Sequence, residues 1–172
     1  MPTVTLRTAS DLHALVRALR RVHASDGYPV DFPPDPRGFL SPRGLVAAWT
    51  ARLDGEIVGH VGLSWRGASE SNCVRTASER TKRPPEDFGL VTRLFVTPNG
   101  RGRGVGDALM EAAEEFLRAR RLVGTLDVDE AATAAIRLYE RRGWKHVATN
   151  LERFSEGREV SLRVFVGAEQ RT

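Results

Sequence analysis

The sequence predicts an α/β fold in which a mixed sheet carries helices on its faces. Three observations lead to this prediction: strand-like and helix-like segments alternate along 172 residues, a glycine-rich turn joins a strand to a helix, and a later helix ends at a glycine. The expected order is strand, helix, loop, three strands, helix, strand, helix and two strands. Such alternation is typical of helices packed on a sheet. We expect one domain spanning residues 1–172, because single domains of this length are common.

The first quarter of the chain is predicted to form a strand, a helix and a proline-rich loop. Residues 4–7 alternate as a short strand does, and Ser10 is a candidate N-cap for the helix that follows. That helix carries an apolar stripe of Leu12, Leu15, Val16, Leu19 and Val22. Five prolines between residues 25 and 44 then predict a loop, with a short helix near Phe39.

A hairpin and a further strand are predicted in the middle of the chain. Residues 47–53 and 56–65 have strand character, and Asp54-Gly55 between them is a strong hairpin signal. Residues 66–87 are polar and charged and end in two prolines, so we expect a long exposed loop there. Residues 90–96 form the strand that enters the glycine turn.

The last third is predicted to alternate between helices and strands. Gly143 is expected to end its helix in a left-handed conformation. The predicted elements are a helix at 107–120, a strand at 125–128, a helix at 131–142 and strands at 144–148 and 160–166.

Composition argues against several classes of protein. The formal charge is +4, from 26 basic and 22 acidic residues that form no basic arm, so we expect no nucleic-acid partner. Cys73 is the only cysteine, which excludes an internal disulfide, and none of the four histidines has metal-ligand spacing with it, so we expect no metal. No apolar run approaches the roughly 18 residues of a membrane helix. The start of the chain lacks signal-peptide character. A soluble cytoplasmic protein that does not bind a membrane is therefore expected.

The glycine turn is the most informative segment of the chain. Its glycines alternate with other residues: Gly100, Gly102, Gly104 and Gly106. A turn without side chains, opening into a helix, presents main-chain N–H groups and a partial positive charge to an anion. A dinucleotide fingerprint would require a glycine where Val105 stands, and a P-loop would require a lysine that the turn lacks. We therefore expect a phosphate-bearing cofactor of another kind.

Two motifs carry a family resemblance over essentially the whole chain. Arg101-x-x-Gly104-x-Gly106 resembles the acetyl-CoA pyrophosphate signature of the GCN5-related N-acetyltransferase (GNAT) family, and it follows a strand and precedes a helix as in that family. Residues 135–144, Ala-Ile-Arg-Leu-Tyr-Glu-Arg-Arg-Gly-Trp, resemble a second block of the same family. The resemblance implies a mostly antiparallel sheet of about seven strands, flanked by helices and splayed at the acetyl-CoA site.

The resemblance also implies a set of cofactor-binding residues, with acetyl-CoA as the co-substrate. The main chain of Leu94, Phe95 and Val96 would pair with the pantetheine arm. The pyrophosphate would be received by the main-chain N–H groups of Gly102, Arg103, Gly104, Val105, Gly106 and Asp107. The side chains of Arg101 and Arg103 either add positive charge to this site or are simply solvated.

By the same resemblance, Tyr139 is the candidate general acid and Asp127 the candidate general base. Tyr139 is otherwise a core residue, since it shares a helical stripe with two alanines, and Asp127 is otherwise a hydrogen-bonding partner at a sheet edge. A glutamate that often serves as the base in this family is absent near Gly89. Proton removal is then left to Asp127, to Asp129 or Glu130, or to ordered water. Relatives often carry an asparagine where this chain has Ala132, so one cofactor hydrogen bond is expected to be lost.

The expected acceptor is a primary amine of a small molecule or of a peptide. Its specificity is expected to come from residues 25–44, 66–87 and 153–159. His60 either relays a proton or serves a structural role, which is commoner for a lone strand histidine. Three aspartates, Asp26, Asp31 and Asp35, either attract a cationic amine or are ordinary turn residues. A non-catalytic acyl-CoA-binding module is the alternative function, and the residues leave open whether the protein is a homodimer.

Overall fold

A computed structural model describes residues 1–65 and 70–169. Within them, twelve helices and strands alternate along the chain. They are β1 (Thr3–Leu6), α1 (Leu12–Asp26), α2 (Pro36–Phe39), β2 (Leu45–Leu53), β3 (Glu56–Ser64), α3 (Asn72–Thr81), β4 (Phe88–Val96), α4 (Val105–Ala119), β5 (Val123–Asp129), α5 (Thr133–Arg141), β6 (Lys145–Arg153) and β7 (Glu159–Val166).

The strands form a seven-stranded mixed sheet in the order β1-β2-β3-β4-β5-β7-β6. The pairs β1–β2, β5–β7 and β6–β7 are antiparallel, whereas β4 and β5 are parallel. This arrangement confirms the predicted fold class. The predicted strands and helices also recur, with ends that differ by a few residues. β6 continues past residue 148 because it stays in register with β7 as far as the pair Arg153–Glu159.

The chain divides into two compact units, which are described separately. The first unit comprises Met1–Leu63 and Thr92–Glu114, and the second comprises Ser64–Val91 and Glu115–Thr172. β4 and α4 each contribute residues to both units. The expectation of a single domain stays a prediction.

In the first unit, the predicted apolar stripe of α1 forms the core. Leu15, Leu19 and Val22 are buried together with Ala18, and they cluster with Leu40 and Phe95. Burying one such side chain stabilises the fold by about 1.5–3 kcal/mol. The α2 helix near Phe39 is confirmed, and the Asp35 carboxylate caps it by accepting a hydrogen bond from the main-chain N–H of Gly38 at 3.1 Å.

The predicted cap of α1 is wrong, because the helix begins at Leu12 with Asp11, not Ser10, as its N-cap. A short 3-10 turn, Ala9–Asp11, precedes it. The Asp11 carboxylate accepts from the main-chain N–H of Thr8 at 2.9 Å and from the Thr50 hydroxyl at 3.1 Å. Asp11 thereby binds both the residue that precedes the 3-10 turn and a residue of β2. Ser10 is exposed.

The hairpin between β2 and β3 is confirmed. Asp54 and Gly55 both have positive φ angles, 48° and 81°, which is the conformation that matches the twist of a two-residue hairpin.

In the second unit, the prediction of an exposed loop over residues 66–87 is wrong for residues 72–81. Residues Asn72–Thr81 form α3, and the Ser71 hydroxyl caps it by accepting from the Cys73 N–H at 3.2 Å. The few apolar side chains of α3 share one face: Cys73, Val74 and Ala77 are buried against Phe88, Val164 and Val166. Because most residues of α3 are polar, the sequence did not reveal this apolar face. Residues 66–69 lie outside the described residues.

In the second unit, the Trp144 indole packs closely against β5 at Gly124. A Cβ at Gly124 would lie 2.5 Å from the indole of Trp144, so only glycine fits on β5 at that point. α5 ends before Gly143, whose φ angle of 81° confirms the predicted left-handed residue after the helix.

Candidate functional site

The glycines of the turn between β4 and α4 serve two different purposes. A Cβ at Gly100 would lie 3.0 Å from Cβ of Val58, so Gly100 permits close packing. Gly102 and Gly104 instead have φ angles of 69° and 76°, and a Cβ on either would have nothing within 4 Å. Glycine is required there by backbone conformation. The space beside these two residues is open to a ligand.

The start of α4 supplies main-chain donors beside this space. The N–H of Ala108 is the first to bond within the helix, donating to the Gly104 carbonyl at 3.0 Å. The first N–H groups of an α-helix have no acceptor within it, and the aligned peptide dipoles add a partial positive charge. An anionic diphosphate fits this arrangement, since it needs converging donors and room that side chains do not fill.

The two arginines of the turn have protein partners. The Arg101 guanidinium forms a bidentate ion pair with the carboxylate of Asp26, the last residue of α1, and also donates to the Val96 carbonyl at 3.2 Å. Arg103 lies 3.9 Å from the Asp54 carboxylate, and both side chains are largely exposed. Arg101 thus ties the turn to α1, and Asp26 serves this structural purpose.

The segment Leu94–Val96 ends β4 and leads into the turn. Phe95 is buried, whereas Leu94 and Val96 are half-buried. The register between β4 and β5 comprises three residue pairs, Phe88–Leu90 with Val123–Thr125, so Leu94–Val96 follows it along the chain. Arg93, just before this segment, has a φ angle of 55°, which is unusual for a non-glycine residue inside a strand.

His60 on β3 is fully buried, and both of its ring nitrogens have partners. Nδ1 lies 2.8 Å from the Arg93 carbonyl, and Nε2 lies 3.1 Å from Nη1 of Arg7. Burial, together with the positive charges of Arg7 and Arg93, lowers the pKa of His60 to about 4, although the hydrogen bond to the Arg93 carbonyl acts in the opposite sense. These contacts support the structural alternative for His60, because a neutral, enclosed imidazole is poorly suited to relay a proton at pH 7.

Asp127 lies on β5 in the second unit and is exposed, between the buried Leu126 and the half-buried Val128. Its neighbours Asp129 and Glu130 have structural partners. Asp129 accepts from the N–H of Ala131 at 2.9 Å, and Glu130 pairs with Arg163 at 3.2 Å. These contacts give Asp129 and Glu130 structural roles.

Tyr139 on α5 is 5% exposed and packs among aromatic rings of the second unit. Its ring centroid lies 5.7 Å from that of Phe165 and 6.4 Å from that of Trp144. Ala132 stands immediately before α5 in a non-helical conformation and provides no side-chain cap. An asparagine there would offer such a cap.

A depression of about 420 Å³ lies in the second unit where β5 ends and β7 begins. Three of its lining residues are acidic: Asp129, Glu130 and Glu159. Glu159 pairs with Arg153 at 3.0 Å, so all three carboxylates bind groups of the protein itself.

Across residues 1–65 and 70–169, no group of three or more histidine, cysteine, aspartate or glutamate side chains is arranged to hold a metal ion. Among the helices in the described part of the chain, none is long and apolar enough to cross a membrane.

Comparison with known proteins identifies the family. Residues 12–144 match the model of the Acetyltransferase (GNAT) family. A mycothiol acetyltransferase from Acidothermus cellulolyticus is 34% identical over 118 residues, which are 68% of this chain and 32% of that protein. The chain therefore spans about a third of the length of this curated relative.

Solved structures agree on the fold. The ribosomal-protein-S18-alanine N-acetyltransferase from Escherichia coli superposes with a TM-score of 0.72 at 20% identity, covering 100% of this chain and 96% of that one. NAA60 from Arabidopsis thaliana in complex with acetyl-CoA gives 0.72 at 21% identity, covering 96% and 98%. The chain belongs to the GNAT acetyltransferase family.

Sequence reasoning missed Arg7 and Arg93, which surround His60. The only signal was the pair of glycines flanking that histidine. A Cβ at Gly59 would lie 3.1 Å from the Phe95 carbonyl, and one at Gly62 would lie 3.4 Å from the Thr92 carbonyl. Glycines at these positions let the β4 main chain approach β3 closely.

Proposed function

We propose that this protein is an acetyl-CoA-dependent N-acetyltransferase that transfers an acetyl group to a primary amine of a small molecule or a peptide. The observation that carries the proposal is the turn before α4, where Gly102 and Gly104 leave open space beside the first N–H groups of a 15-residue helix. Membership of the GNAT family supports it. Direct attack by the amine, with both substrates bound, is the expected route.

The residues of the turn and of β4 divide the work of holding the cofactor. The N–H groups from Gly102 to Asp107 receive the diphosphate, and the main chain of Leu94–Val96 pairs with the pantetheine arm. Arg103, which is half exposed, adds positive charge near the diphosphate. Arg101 contributes by holding the turn against Asp26.

Two side chains of the second unit are assigned to proton transfer. When bound, acetyl-CoA supplies the thioester that the amine attacks. A free alkylamine has a pKa of about 10.4, so a base must remove its proton at pH 7. Asp127 does so, directly or through water, as the resemblance to the family implies. The Tyr139 hydroxyl protonates the departing thiolate.

A non-catalytic acyl-CoA-binding module is the second candidate function. It is favoured by Ala132, which replaces the asparagine common in the family, and by the near-complete burial of Tyr139. Such a module would bind acetyl-CoA with the same residues and release no free thiol.

The first test measures cofactor binding by thermal unfolding and calorimetry. Acetyl-CoA at a hundredfold excess over Kd should stabilise the protein by about 2.7 kcal/mol. Gly104→Ala should weaken binding at least about tenfold, because the methyl group enters the space assigned to phosphate and each tenfold loss is about 1.4 kcal/mol. Gly55→Ala is the matched control: its φ angle of 81° imposes similar strain, and its Cβ also meets open space. Equal affinities in the two variants would refute the proposed diphosphate site.

The second test separates the enzyme from the binding module. The protein is incubated with acetyl-CoA and a panel of acceptors, and release of free thiol is followed. The panel contains alkylamines, amino acids, amino sugars and peptides. Peptides that begin with alanine are included because one structurally similar protein is a ribosomal-protein-S18-alanine N-acetyltransferase. Turnover with any amine supports the proposal. Tight binding of acetyl-CoA without turnover across the panel favours the module.

A further inference from the structure

The conformation of Arg93 needs support from elsewhere in the first unit. Its φ angle of 55° lies in the left-handed region, which is strained for a non-glycine residue and persists only where the surroundings hold it. Its carbonyl accepts a hydrogen bond from Nδ1 of His60 at 2.8 Å. The residue that follows is Leu94, the first of the three assigned to the pantetheine arm. His60 therefore contacts the backbone where that segment begins.

The orientation of the His60 imidazole is fixed by its other partner. An arginine side chain can only donate hydrogen bonds, so Nε2 accepts from Nη1 of Arg7 at 3.1 Å and Nδ1 carries the proton. The ring also stacks on Phe95, with centroids 5.5 Å apart and an interplanar angle of 22°. The histidine thus contacts β4 at the Arg93 carbonyl and at the Phe95 ring.

The same network extends to the segment that follows α2. Arg7 donates to the Leu40 carbonyl and, at 2.8 Å, to the Ser41 hydroxyl. Arg93 donates from Nε to the Phe39 carbonyl at 3.1 Å, and its guanidinium carbon lies 4.0 Å from the Phe39 ring centroid. The carbonyls of Phe39, at the end of α2, and of Leu40, just after it, are therefore bound by the two arginines that enclose His60.

We propose that His60 is a positioning residue that, oriented by Arg7, holds the left-handed bend of β4 at Arg93 and thereby sets the main chain of Leu94–Val96 for the pantetheine arm. The inference rests on the proposed function, because it assigns a purpose to a backbone that the cofactor would contact. It adds that the bend is tied to Phe39–Ser41, within the residues expected to influence the acceptor.

The test compares two ligands that use different parts of the site. Acetyl-CoA spans both the turn and β4, whereas 3′-phospho-ADP carries the diphosphate without a pantetheine arm. In His60→Gln and His60→Leu the bond to Arg93 is lost, and acetyl-CoA should bind about tenfold more weakly, the value of one well-made hydrogen bond. Binding of 3′-phospho-ADP should change by less than about twofold, as expected for an independent part of the site.

Two variants serve as controls. His60→Asn places an amide N–H near the position of Nδ1, so it should recover most of the acetyl-CoA affinity. Thr50→Val removes another buried hydrogen bond of the first unit, between Thr50 and Asp11, and should lower stability without changing the ratio of the two affinities. If His60→Leu does not fold, the acetyl-CoA affinities of His60→Gln and His60→Asn are compared instead.

The outcomes separate this inference from the proposed function. Equal losses for both ligands, or no difference between Gln and Asn, would overturn the positioning role of His60. Failure of the unmodified protein to bind either ligand would instead overturn the proposed function, and this inference with it.

Discussion

The two units of the molecule differ in the polar groups that stand out: main-chain groups in the first unit and side chains in the second. In the first unit, the notable features are main-chain groups in unusual conformations: Arg93, Gly102 and Gly104 all have positive φ angles, and the buried His60 donates to the Arg93 carbonyl. In the second unit, the notable groups are side chains on regular elements. Asp127 projects from a strand and Tyr139 packs within an aromatic cluster.

The difference indicates how each unit would serve acetyl transfer. A cofactor is recognised by many weak contacts along its length, which main-chain groups held in fixed conformations provide. Proton transfer depends on single side chains whose chemistry cannot be supplied by the backbone. Substitutions in the first unit should therefore act mainly on cofactor affinity, and those in the second mainly on kcat.

The largest effect is expected for Tyr139→Phe in the second unit. The phenylalanine ring keeps the packing against Phe165 and Trp144, so only the hydroxyl is lost. If Tyr139 is the general acid, kcat should fall by about 10²- to 10³-fold while the Kd of acetyl-CoA stays within about twofold. Thiol release and calorimetry measure the two quantities.

The control for this variant is its melting temperature, which should stay near that of the unmodified protein. Asp127→Asn should show a similar fall in kcat, whereas Asp129→Asn should not. Unchanged turnover in Tyr139→Phe would mean that Tyr139 is only a core residue. It would also contradict the expectation that substitutions in the second unit act mainly on kcat.

The parts of the fold that the sequence predicted are those whose signals are local. The Asp54-Gly55 hairpin, the apolar stripe of α1 and the glycine turn each depend on residues within a few positions of one another. α3 was missed because its core contribution comes from three residues on one face, and their partners Phe88 and Val164 are distant in sequence.

The support around His60 was missed for the same reason. Arg7 reaches the histidine from just after β1 and the Arg93 carbonyl from β4, and nothing in the sequence near residue 93 indicates a left-handed conformation. The catalytic side chains could be nominated only by resemblance to a family, since a tyrosine on an apolar helix face looks the same whether its hydroxyl acts or not.

The next largest effect concerns His60 and the dependence of stability on pH. Its pKa is lowered to about 4 in the folded protein, against about 6.5 when unfolded, so the unfolded chain binds more protons between these values. The free energy of unfolding should therefore be unaffected by His60 above pH 6.5. It should fall by about 3 kcal/mol as the pH decreases to 4, where the loss levels off.

Urea unfolding of the unmodified protein and of His60→Asn, measured at pH 7 and at pH 4.5, isolates this contribution. Arginine side chains keep their charge throughout this pH range. His146→Asn is the matched control, since His146 is exposed in the second unit. The same pH dependence in all three proteins would mean that His60 is not enclosed as the structure describes.

The smallest effect is expected at the ion pair between Arg101 and Asp26. Burial alone would raise the pKa of Asp26, but the hydrogen bonds from Arg101 and Ser25 outweigh it and lower the pKa. Both side chains are more than a third exposed, so the pair should contribute no more than about 1 kcal/mol and less at high salt. Arg101→Gln and Asp26→Asn should therefore lower the melting temperature slightly and by similar amounts, because either change releases the turn from α1.

Acetyl-CoA affinity distinguishes the two possible roles of Arg101. If the arginine only holds the turn, both variants lose affinity equally. Stronger binding by Asp26→Asn and weaker binding by Arg101→Gln would show that the guanidinium transfers from Asp26 to the diphosphate, and cofactor recognition in the first unit would then depend on a side chain as well as on the backbone.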